Sequence, residues 1–183
     1  MMRSLVAGSA AALALALAAC GPADRSEDLL SDVISDQSEL SSFSKGLEST
    51  GLAGALDGDA TYTLLAPSDE AFAALGADGS ALLDDPARGA ILAAVLREHM
   101  LPGALSPDTI RETIEARGGE IYMVSFGNGE LSVSLEGEQL VVSNGAGQRA
   151  VLGDEAVVSK NGVIIPIDAV LVDAEALSVP AES

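Results

Sequence analysis

The chain has 183 residues and a formal net charge of −19, with 28 acidic and only 9 basic side chains. Because no basic cluster occurs along it, we expect neither a nucleic-acid partner nor an anionic lipid surface held through a polybasic patch. Trp is absent, and only two Tyr and three Phe are present, so stacking platforms for sugars or bases are scarce.

The N-terminal segment has the layout of a secretory signal. Arg3 precedes an apolar run of 15 residues, Leu5 to Ala19, which is shorter than the roughly 20 residues that span a bilayer as a helix. The boundary Leu-Ala-Ala-Cys resembles a bacterial lipobox, which implies cleavage before Cys20 and attachment of a diacylglyceryl group to its sulfur. Cys20 is also the only Cys, so no intrachain disulfide can form. We therefore predict that Cys20 is a lipidated membrane tether.

These features divide the chain into four segments. They are a signal peptide at residues 1–19, a lipid-anchored stub at 20–26, one domain at 27–173 and a flexible tail at 174–183. Removing 19 of the 183 residues leaves 164, the size of one ordinary domain with a short stalk. The large negative charge favours solubility and repulsion between neighbouring copies.

Helical spacing of apolar residues dominates the first half of the domain. The helices predicted there cover Leu29 to Ile34, about Leu40 to Leu47, the residues after Pro67, a short segment before Pro86 with a longer helix starting near it, and Ser106 to Gly118. The last helix has a Ser at its N-cap, a Pro in its first turn and a Gly stop. Residues 51–60 are rich in Gly and Asp and are predicted to form a loop.

From Gly119 onward the apolar period changes to two. Short strands are predicted within residues 120–126, 131–143 and 156–172, joined by Glu-Gly and Asn-Gly turns. Leu131, Val133 and Leu135 alternate with Ser, as expected for a half-buried strand. Helices followed by a run of antiparallel strands indicate an α+β fold.

Two motifs and the segment between them resemble the fasciclin-type (FAS1) domain. Tyr62 to Leu75 is similar to the first family motif, a strand followed by Ala-Pro-Thr/Ser-Asp-Glu-Ala-Phe. Asn161 to Val172 is similar to the second, Asn-Gly-Val-Ile-His-x-Ile-Asp-x-Val-Leu. The resemblance covers roughly residues 26–172. It implies a wedge of two antiparallel β-sheets with several helices packed at one side, N-terminal helices first and a strand-rich C-terminal half.

The resemblance also gives candidate structural or interaction positions. They are Pro67, Ser68, Asp69, Phe72, His99, Pro102, Gly103, Asn161, Gly162 and Asp168. The second motif departs from the family at Ile165, where a His is usual, and the following Pro166 predicts an edge strand or a bulge. Asp168 is expected to be a buried or half-buried acceptor for backbone amides.

Integrin binding by animal fasciclin domains is not expected to extend to this chain. The family's Tyr before the central His is Glu98 here. The stretch Glu155 to Lys160 lacks the Asp-Ile pair of the animal domains, and no Arg-Gly-Asp sequence occurs. Integrin recognition is therefore not carried over.

A strand is predicted at Tyr62 to Ala66, and its joint with the following helix has the residues of a structural turn. Pro67 cannot donate a ladder hydrogen bond, so the strand ends there. Ser68 is a good N-cap, and Asp69 lies at the positive end of the helix dipole. A catalytic elbow of the form Gly-x-Ser-x-Gly is absent. We therefore predict no catalytic residue and no enzyme; an enzyme is the second alternative, disfavoured because no nucleophile–base pair is recognisable in the sequence.

No cofactor or structural metal is expected from the sequence. His99 is the only His. We predict that it is a hydrogen-bonded packing residue, because a catalytic or charge-switch role needs a partner that the sequence does not show. A zinc site is not expected, because one His and one lipidated Cys cannot supply its ligands. The pairs Asp57 and Asp59, and Asp84 and Asp85, are expected to lie in solvated acidic loops, with weak calcium binding as the alternative.

The resemblance implies a role in cell adhesion or in contacts with an envelope or extracellular matrix. The partners we expect are the membrane, through Cys20, and a surface macromolecule that the sequence does not identify. Gly21 follows the Cys in place of the Asp that retains lipoproteins in the inner membrane, so we expect the outer membrane. The alternative is an envelope protein that binds an apolar ligand such as a carotenoid or lipid in a groove between Ala-, Leu- and Val-rich helices.

Overall fold

The computed structural model describes residues 27–172 and Leu177. The predictions for the signal peptide, Cys20, the stub and most of the tail lie outside these residues. Six α-helices occur in the described chain: α1 Leu30–Ser35, α2 Ser41–Ser49, α3 Asp69–Ala74, α4 Ala77–Asp84, α5 Gly89–Glu98 and α6 Pro107–Arg117. Short 3-10 helices cover Ser38–Leu40, Ala53–Asp57 and Pro86–Arg88. In this part of the chain, no helix is both long and apolar enough to span a membrane.

Within residues 27–172, eight strands form two sheets of four. The strands are β1 Tyr62–Pro67, β2 Met100–Pro102, β3 Ile121–Val124, β4 Glu130–Glu136, β5 Gln139–Asn144, β6 Arg149–Val151, β7 Val157–Ser159 and β8 Gly162–Ile167. The first sheet has the order β2-β1-β8-β7 and the second the order β3-β4-β5-β6. The expected α+β fold, with helices first and a strand-rich C-terminal half, is confirmed.

The first sheet differs from the expectation of purely antiparallel pairing. β1 and β8 run parallel, with Tyr62 opposite Gly162 and Pro67 opposite Ile167. These strands are far apart in sequence, so no hairpin fixes their direction. Both are buried on both faces, as is usual for parallel strands that are covered on each side.

The hydrophobic core lies in two layers on either side of the first sheet. Leu64 and Ile164 pack against helices α1 to α5 on one face. Leu65 and Ile165 face the second sheet and α6. The helices α1 to α5 thus lie at one side, as expected, whereas α6 belongs to the layer between the sheets. Ile165, which stands where the family has a His, is fully buried there.

Local sequence signals are confirmed where they are strong. In α6 the Ser106 side chain accepts from the Thr109 N–H at 3.2 Å, and Gly118 ends the helix with φ 72°. In β4, Leu131 and Val133 are fully buried, as the alternation predicts. The segment 51–60, predicted to be a loop, contains a 3-10 helix because Leu56 is drawn into the core.

The edge position or bulge predicted at Pro166 is wrong for the strand as a whole. β8 is an inner strand, and Pro166 lies opposite Ala66 of β1. On the other side, however, β7 pairs only as far as Ile164. Beyond that point the Pro166 carbonyl accepts from the Gly153 N–H at 2.8 Å. The proline is tolerated because the ladder toward β7 has already ended.

Candidate functional site: the motif residues and an exposed apolar face

The turn after β1 is structural, as predicted. Ser68 accepts a hydrogen bond from the Ala71 N–H at 3.2 Å and so caps α3. The Ser68 N–H donates to the Ile167 carbonyl at 3.0 Å, and Phe72 is buried in the helix-side core. The Ser68 oxygen is thus used as a helix cap, and the bond to Ile167 with the burial of Phe72 holds α3 against the first sheet.

Asp69 has a second task that the sequence did not reveal. Its carboxylate accepts from the Ser41 hydroxyl at 2.6 Å and from the Ser42 N–H at 2.7 Å. It therefore caps α2, whose own N-cap residue, Leu40, makes no side-chain cap. Partial burial tends to raise the pKa of Asp69, but the hydrogen bonds from Ser41 and Ser42 outweigh it and lower the pKa.

Replacing Asp69 by Ala should destabilise the domain by about 1 kcal/mol, since a lost helix cap has this typical effect. Urea unfolding at neutral pH measures the change. The matched control is Glu70→Ala, which removes the same charge from the neighbouring, exposed position and should cost less than about 0.5 kcal/mol. Equal losses for the two variants would show that the bond to α2 contributes nothing.

His99 is a fully buried link between the end of α5 and the segment after β8. Its Nδ1–H donates to the Val95 carbonyl at 2.8 Å, and its Nε2 accepts from the Leu171 N–H at 3.0 Å. The ring also meets Phe43 edge-on, with centroids 6.3 Å apart. Burial lowers the pKa of His99 to about 4, although the bond to Val95 opposes this shift. With this pKa the imidazole is neutral at pH 7, and both ring nitrogens are used in hydrogen bonds within the fold.

Asn161 connects three parts of the fold from a buried position. Its Oδ1 accepts from the Leu30 N–H at 2.8 Å, at the start of α1. Its Nδ2 donates to the Leu56 carbonyl at 2.6 Å and to the Gly58 carbonyl at 3.1 Å. At the next residue, Gly162, a Cβ atom would overlap the Tyr62 carbonyl and the Leu30 side chain. The Asn-Gly pair therefore joins α1, the loop after α2 and β8.

The remaining motif positions lie at strand ends. Pro102 is exposed and pairs with Tyr62 at the end of β2. Gly103 follows with φ 88°, which favours Gly, and its N–H donates to the Thr61 carbonyl at 2.9 Å. Asp168 accepts from the Val151 N–H at 2.7 Å, as predicted for an amide acceptor. Its predicted burial is wrong, because β8 ends at Ile167 and the next side chain reaches solvent.

Glu98, which replaces the family's Tyr, is held by the loop after β3. The Ser125 hydroxyl donates to its carboxylate at 2.6 Å. A Cβ atom at Gly127 or Gly129 would overlap this carboxylate, so both glycines are needed for the close approach. The Glu98 side chain is half-buried as a result.

The predicted acidic loops use their carboxylates in different ways. Asp57 and Asp59 are exposed. Asp84 pairs with Lys45 at 2.7 Å, and Asp85 accepts from the Ala87 N–H at 2.9 Å as a helix cap. Among residues 27–172 and Leu177, no three His, Cys, Asp or Glu side chains gather where they could hold one metal ion.

A depression of about 570 Å³ lies beside α2, α3 and α4. Its lining includes Ser41, Ser42, Lys45, Asp69, Phe72 and Asp84. Three serines, Ser41, Ser42 and Ser80, and the ion pair between Lys45 and Asp84 lie at its wall, beside the apolar Phe72 and Leu83.

A group of exposed apolar side chains lies on β3 and just after it. In the described chain the exposed large hydrophobic side chains are Tyr122, Val124 and Phe126, with exposed fractions of 58%, 59% and 44%. They follow one another at every second residue, so Tyr122 and Val124 project from the same face of the strand. We call these three side chains the β3 face. The alternation in the sequence contains this face, but it does not show which side of the strand meets solvent.

Acidic groups surround the β3 face. The Tyr122 hydroxyl donates to Glu120 at 2.5 Å, and Glu130 lies directly opposite Val124 on β4. The hydrogen bond to Glu120 raises the pKa of Tyr122, and the charges of Glu120 and Glu130 act in the same direction. At the other end, the rings of Phe126 and Tyr62 lie 5.5 Å apart. The result is an apolar surface with a negative border.

Comparison with known proteins places this fold. The family described as Fasciclin domain matches residues 38–173. The chain is 29% identical over 149 residues to the transforming growth factor-beta-induced protein ig-h3 of Sus scrofa, a match that covers 78% of this chain and 19% of that protein. The chain thus spans about a fifth of the length of this relative.

A solved structure shares the fold. It is the domain pair of the insect cell adhesion molecule Fasciclin I, matched with a TM-score of 0.72 and 14% identity over 84% of this chain and 53% of that one. At this identity the match concerns the fold alone. The family match covers most of the sequence, and the chain belongs to the fasciclin domain family, whose members are non-enzymatic proteins associated with cell adhesion and extracellular-matrix interaction.

Proposed function

We propose that this protein is a lipid-anchored envelope protein whose fasciclin domain acts in adhesion by presenting a protein-binding surface. The observation that carries the proposal is the β3 face. Three large apolar side chains at alternate positions of one short segment, Tyr122, Val124 and Phe126, are 44% to 59% exposed on a chain with a net charge of −19. Exposed apolar patches with a polar rim mark interaction sites on soluble domains.

The motif residues support the same conclusion by exclusion. Ser68 caps a helix, His99 is buried with both ring nitrogens bonded, and Asn161 bonds only main-chain and Ser partners within the core. These groups hold the fold together and offer nothing to a substrate. A binding surface must therefore lie elsewhere, and the β3 face is where apolar groups reach solvent.

The membrane anchor rests on the sequence around Cys20. The charged start, the apolar run and the small residues before this Cys favour cleavage before Cys20 and lipidation of its sulfur. Two or more acyl chains would give a stable anchor, whereas one would bind reversibly. Gly21 in the next position favours the outer membrane. The short stub at residues 20–26 would hold the domain close to the bilayer.

Replacing Cys20 by Ser should move the protein from the membrane fraction to the soluble fraction and abolish incorporation of labelled glycerol and palmitate. The matched control is Gly21→Ala, which leaves the acceptor sulfur in place and should remain labelled and membrane-bound. A Cys20→Ser protein that still fractionates with membranes would contradict the lipid anchor.

Adhesion is tested with the chain from residue 20 onward carrying Cys20→Ser, which contains every described element. The labelled protein is offered to envelopes of its own cells, beside an unrelated protein of similar negative charge. Saturable binding above this control is expected. Binding no greater than that of the control would contradict the proposal.

A further inference from the structure

We infer that the open edge of β3 is the docking site, and that its occupant is an extended segment of another protein carrying apolar side chains flanked by Lys or Arg. This inference rests on the proposed adhesive function and names the surface and partner chemistry that would perform it. The juxtaposition that carries it is an unpaired strand edge, the β3 face and an acidic border at one place.

The backbone of β3 lies at an edge of the second sheet. β3 is the outermost strand of the second sheet, where β4 is its one neighbour among the described residues. Beyond the end of β3, the Phe126 N–H donates to the Met100 carbonyl at 2.9 Å, so the outward side of the chain is closed at that point. The outward N–H and C=O groups of an edge strand are a template for adding another strand.

The exposed side chains of β3 would also contact an added strand. A strand added beside β3 continues the sheet, so alternate side chains of the partner would lie next to Tyr122 and Val124. These two side chains are more than half exposed. Edge strands are usually protected from pairing by charged or bulged positions. Here the apolar residues stand on the open strand itself, and apolar partner residues would cover them.

The negative charges beside β3 favour a basic partner. Glu120 is hydrogen-bonded to Tyr122, and Glu130 lies across from Val124 on the same face. A basic residue at either end of an added strand would reach these carboxylates. A second copy of this chain, at a net charge of −19, would be repelled. Charge complementarity therefore selects a basic segment over self-association.

The test uses the chain from residue 20 onward carrying Cys20→Ser, labelled with ¹⁵N, and short synthetic peptides. One peptide has two valines at alternate positions with a pair of lysines at each end, a second has glutamate in place of every lysine, and a third is the first peptide with alternate backbone amides N-methylated. We expect the valine–lysine peptide to bind and to shift the amide signals of residues 120–126 and 130–132. We expect the other two peptides to bind at least about tenfold more weakly. The glutamate peptide lacks the positive charge, and the N-methylated peptide lacks half of its backbone N–H donors.

Variants of the domain separate this surface from general acidity. The pair Tyr122→Ser with Val124→Ser, and separately the pair Glu120→Gln with Glu130→Gln, should each weaken binding of the valine–lysine peptide by about tenfold. The control pair Glu39→Gln with Glu48→Gln removes two exposed charges from the helix layer and should leave binding unchanged. Amide spectra of the free variants confirm that they fold.

Three outcomes would overturn the inference. They are no binding of the valine–lysine peptide up to about 1 mM, amide shifts outside the β3 region, and equal binding of the N-methylated peptide. If envelope binding persists while the β3 variants bind envelopes as well as the unmodified chain, the inference fails and the adhesive function stands. If the unmodified chain shows no saturable envelope binding, the adhesive function itself fails.

Discussion

Replacing Asn161 by Asp should destabilise the domain by about 4 kcal/mol or more at pH 7. The new carboxylate can still accept from the Leu30 N–H, but it places a charged oxygen against the Leu56 and Gly58 carbonyls, which now receive the Nδ2 donor. Each buried acceptor left without a donor costs about 1–3 kcal/mol, and an unpaired buried charge adds to this. Against a total stability of about 5–15 kcal/mol, the loss is large.

Urea unfolding measures this effect, and Asn144→Asp is the matched control. The Asn144 Oδ1 accepts from the Ala146 and Gln148 N–H groups in the turn between β5 and β6. A carboxylate can accept the same two bonds, so the control should change stability by less than about 0.5 kcal/mol. The penalty at Asn161 should shrink near pH 4, where a protonated Asp can donate again. Similar losses in both variants would refute the proposed role of the Nδ2 donor.

His99 should make the domain less stable as the pH falls from about 6.5 to about 4. The pKa is about 4 in the folded state and 6.5 for an unperturbed His, so the unfolded chain binds this proton more readily. The contribution of the neutral ring is complete above pH 6.5 and is lost as the pH falls toward 4. A difference of this size corresponds to about 3 kcal/mol. Protonation would also set an N–H donor against the Leu171 N–H.

The comparison is between the unmodified domain and His99→Gln, each unfolded in urea at pH 7 and at pH 4.5. Gln lacks a titrating group, whereas the carboxylates common to both proteins cancel in the comparison. The free energy lost between the two pH values should be about 2 kcal/mol smaller in the variant. An equal loss in both proteins would show that His99 does not carry this acid sensitivity. The lower stability of the variant at pH 7 does not enter the comparison.

Sequence reasoning succeeded where a residue's task is local. Ser68 and Ser106 cap the helices that follow them, Gly118 ends α6, and Leu131 and Val133 alternate with polar residues. In each case the pattern lies within a few residues, and the physical reason is visible in the sequence itself. The order of the two family motifs then sufficed for the overall fold.

It failed where the partner is distant in sequence. The parallel pairing of β1 with β8 joins residues 100 apart, such as Thr63 and Val163. Asp69 caps a helix that precedes it by 27 residues, and Glu98 is held by a loop that follows it. The three strands β2, β6 and β7 have three residues each and are too short for a period to show. Such relations depend on the tertiary arrangement rather than on local propensity.

The candidate site was the hardest part to predict. The motif residues attract attention because the family shares them, yet Asn161, His99 and Ser68 serve the fold. The residues of the β3 face lie in an ordinary alternating stretch. Only the arrangement of the sheets shows that β3 is an edge and that Tyr122 and Val124 meet solvent.

The most direct test of the account is a side-by-side envelope-binding measurement of three forms of the Cys20→Ser chain. They are the otherwise unmodified form, the form with Tyr122→Ser and Val124→Ser, and the form with Glu39→Gln and Glu48→Gln. The account predicts saturable binding by the first and third forms and at least about tenfold weaker binding by the second. Equal binding by all three forms would contradict the role of the β3 face, and no saturable binding by any of them would contradict adhesion.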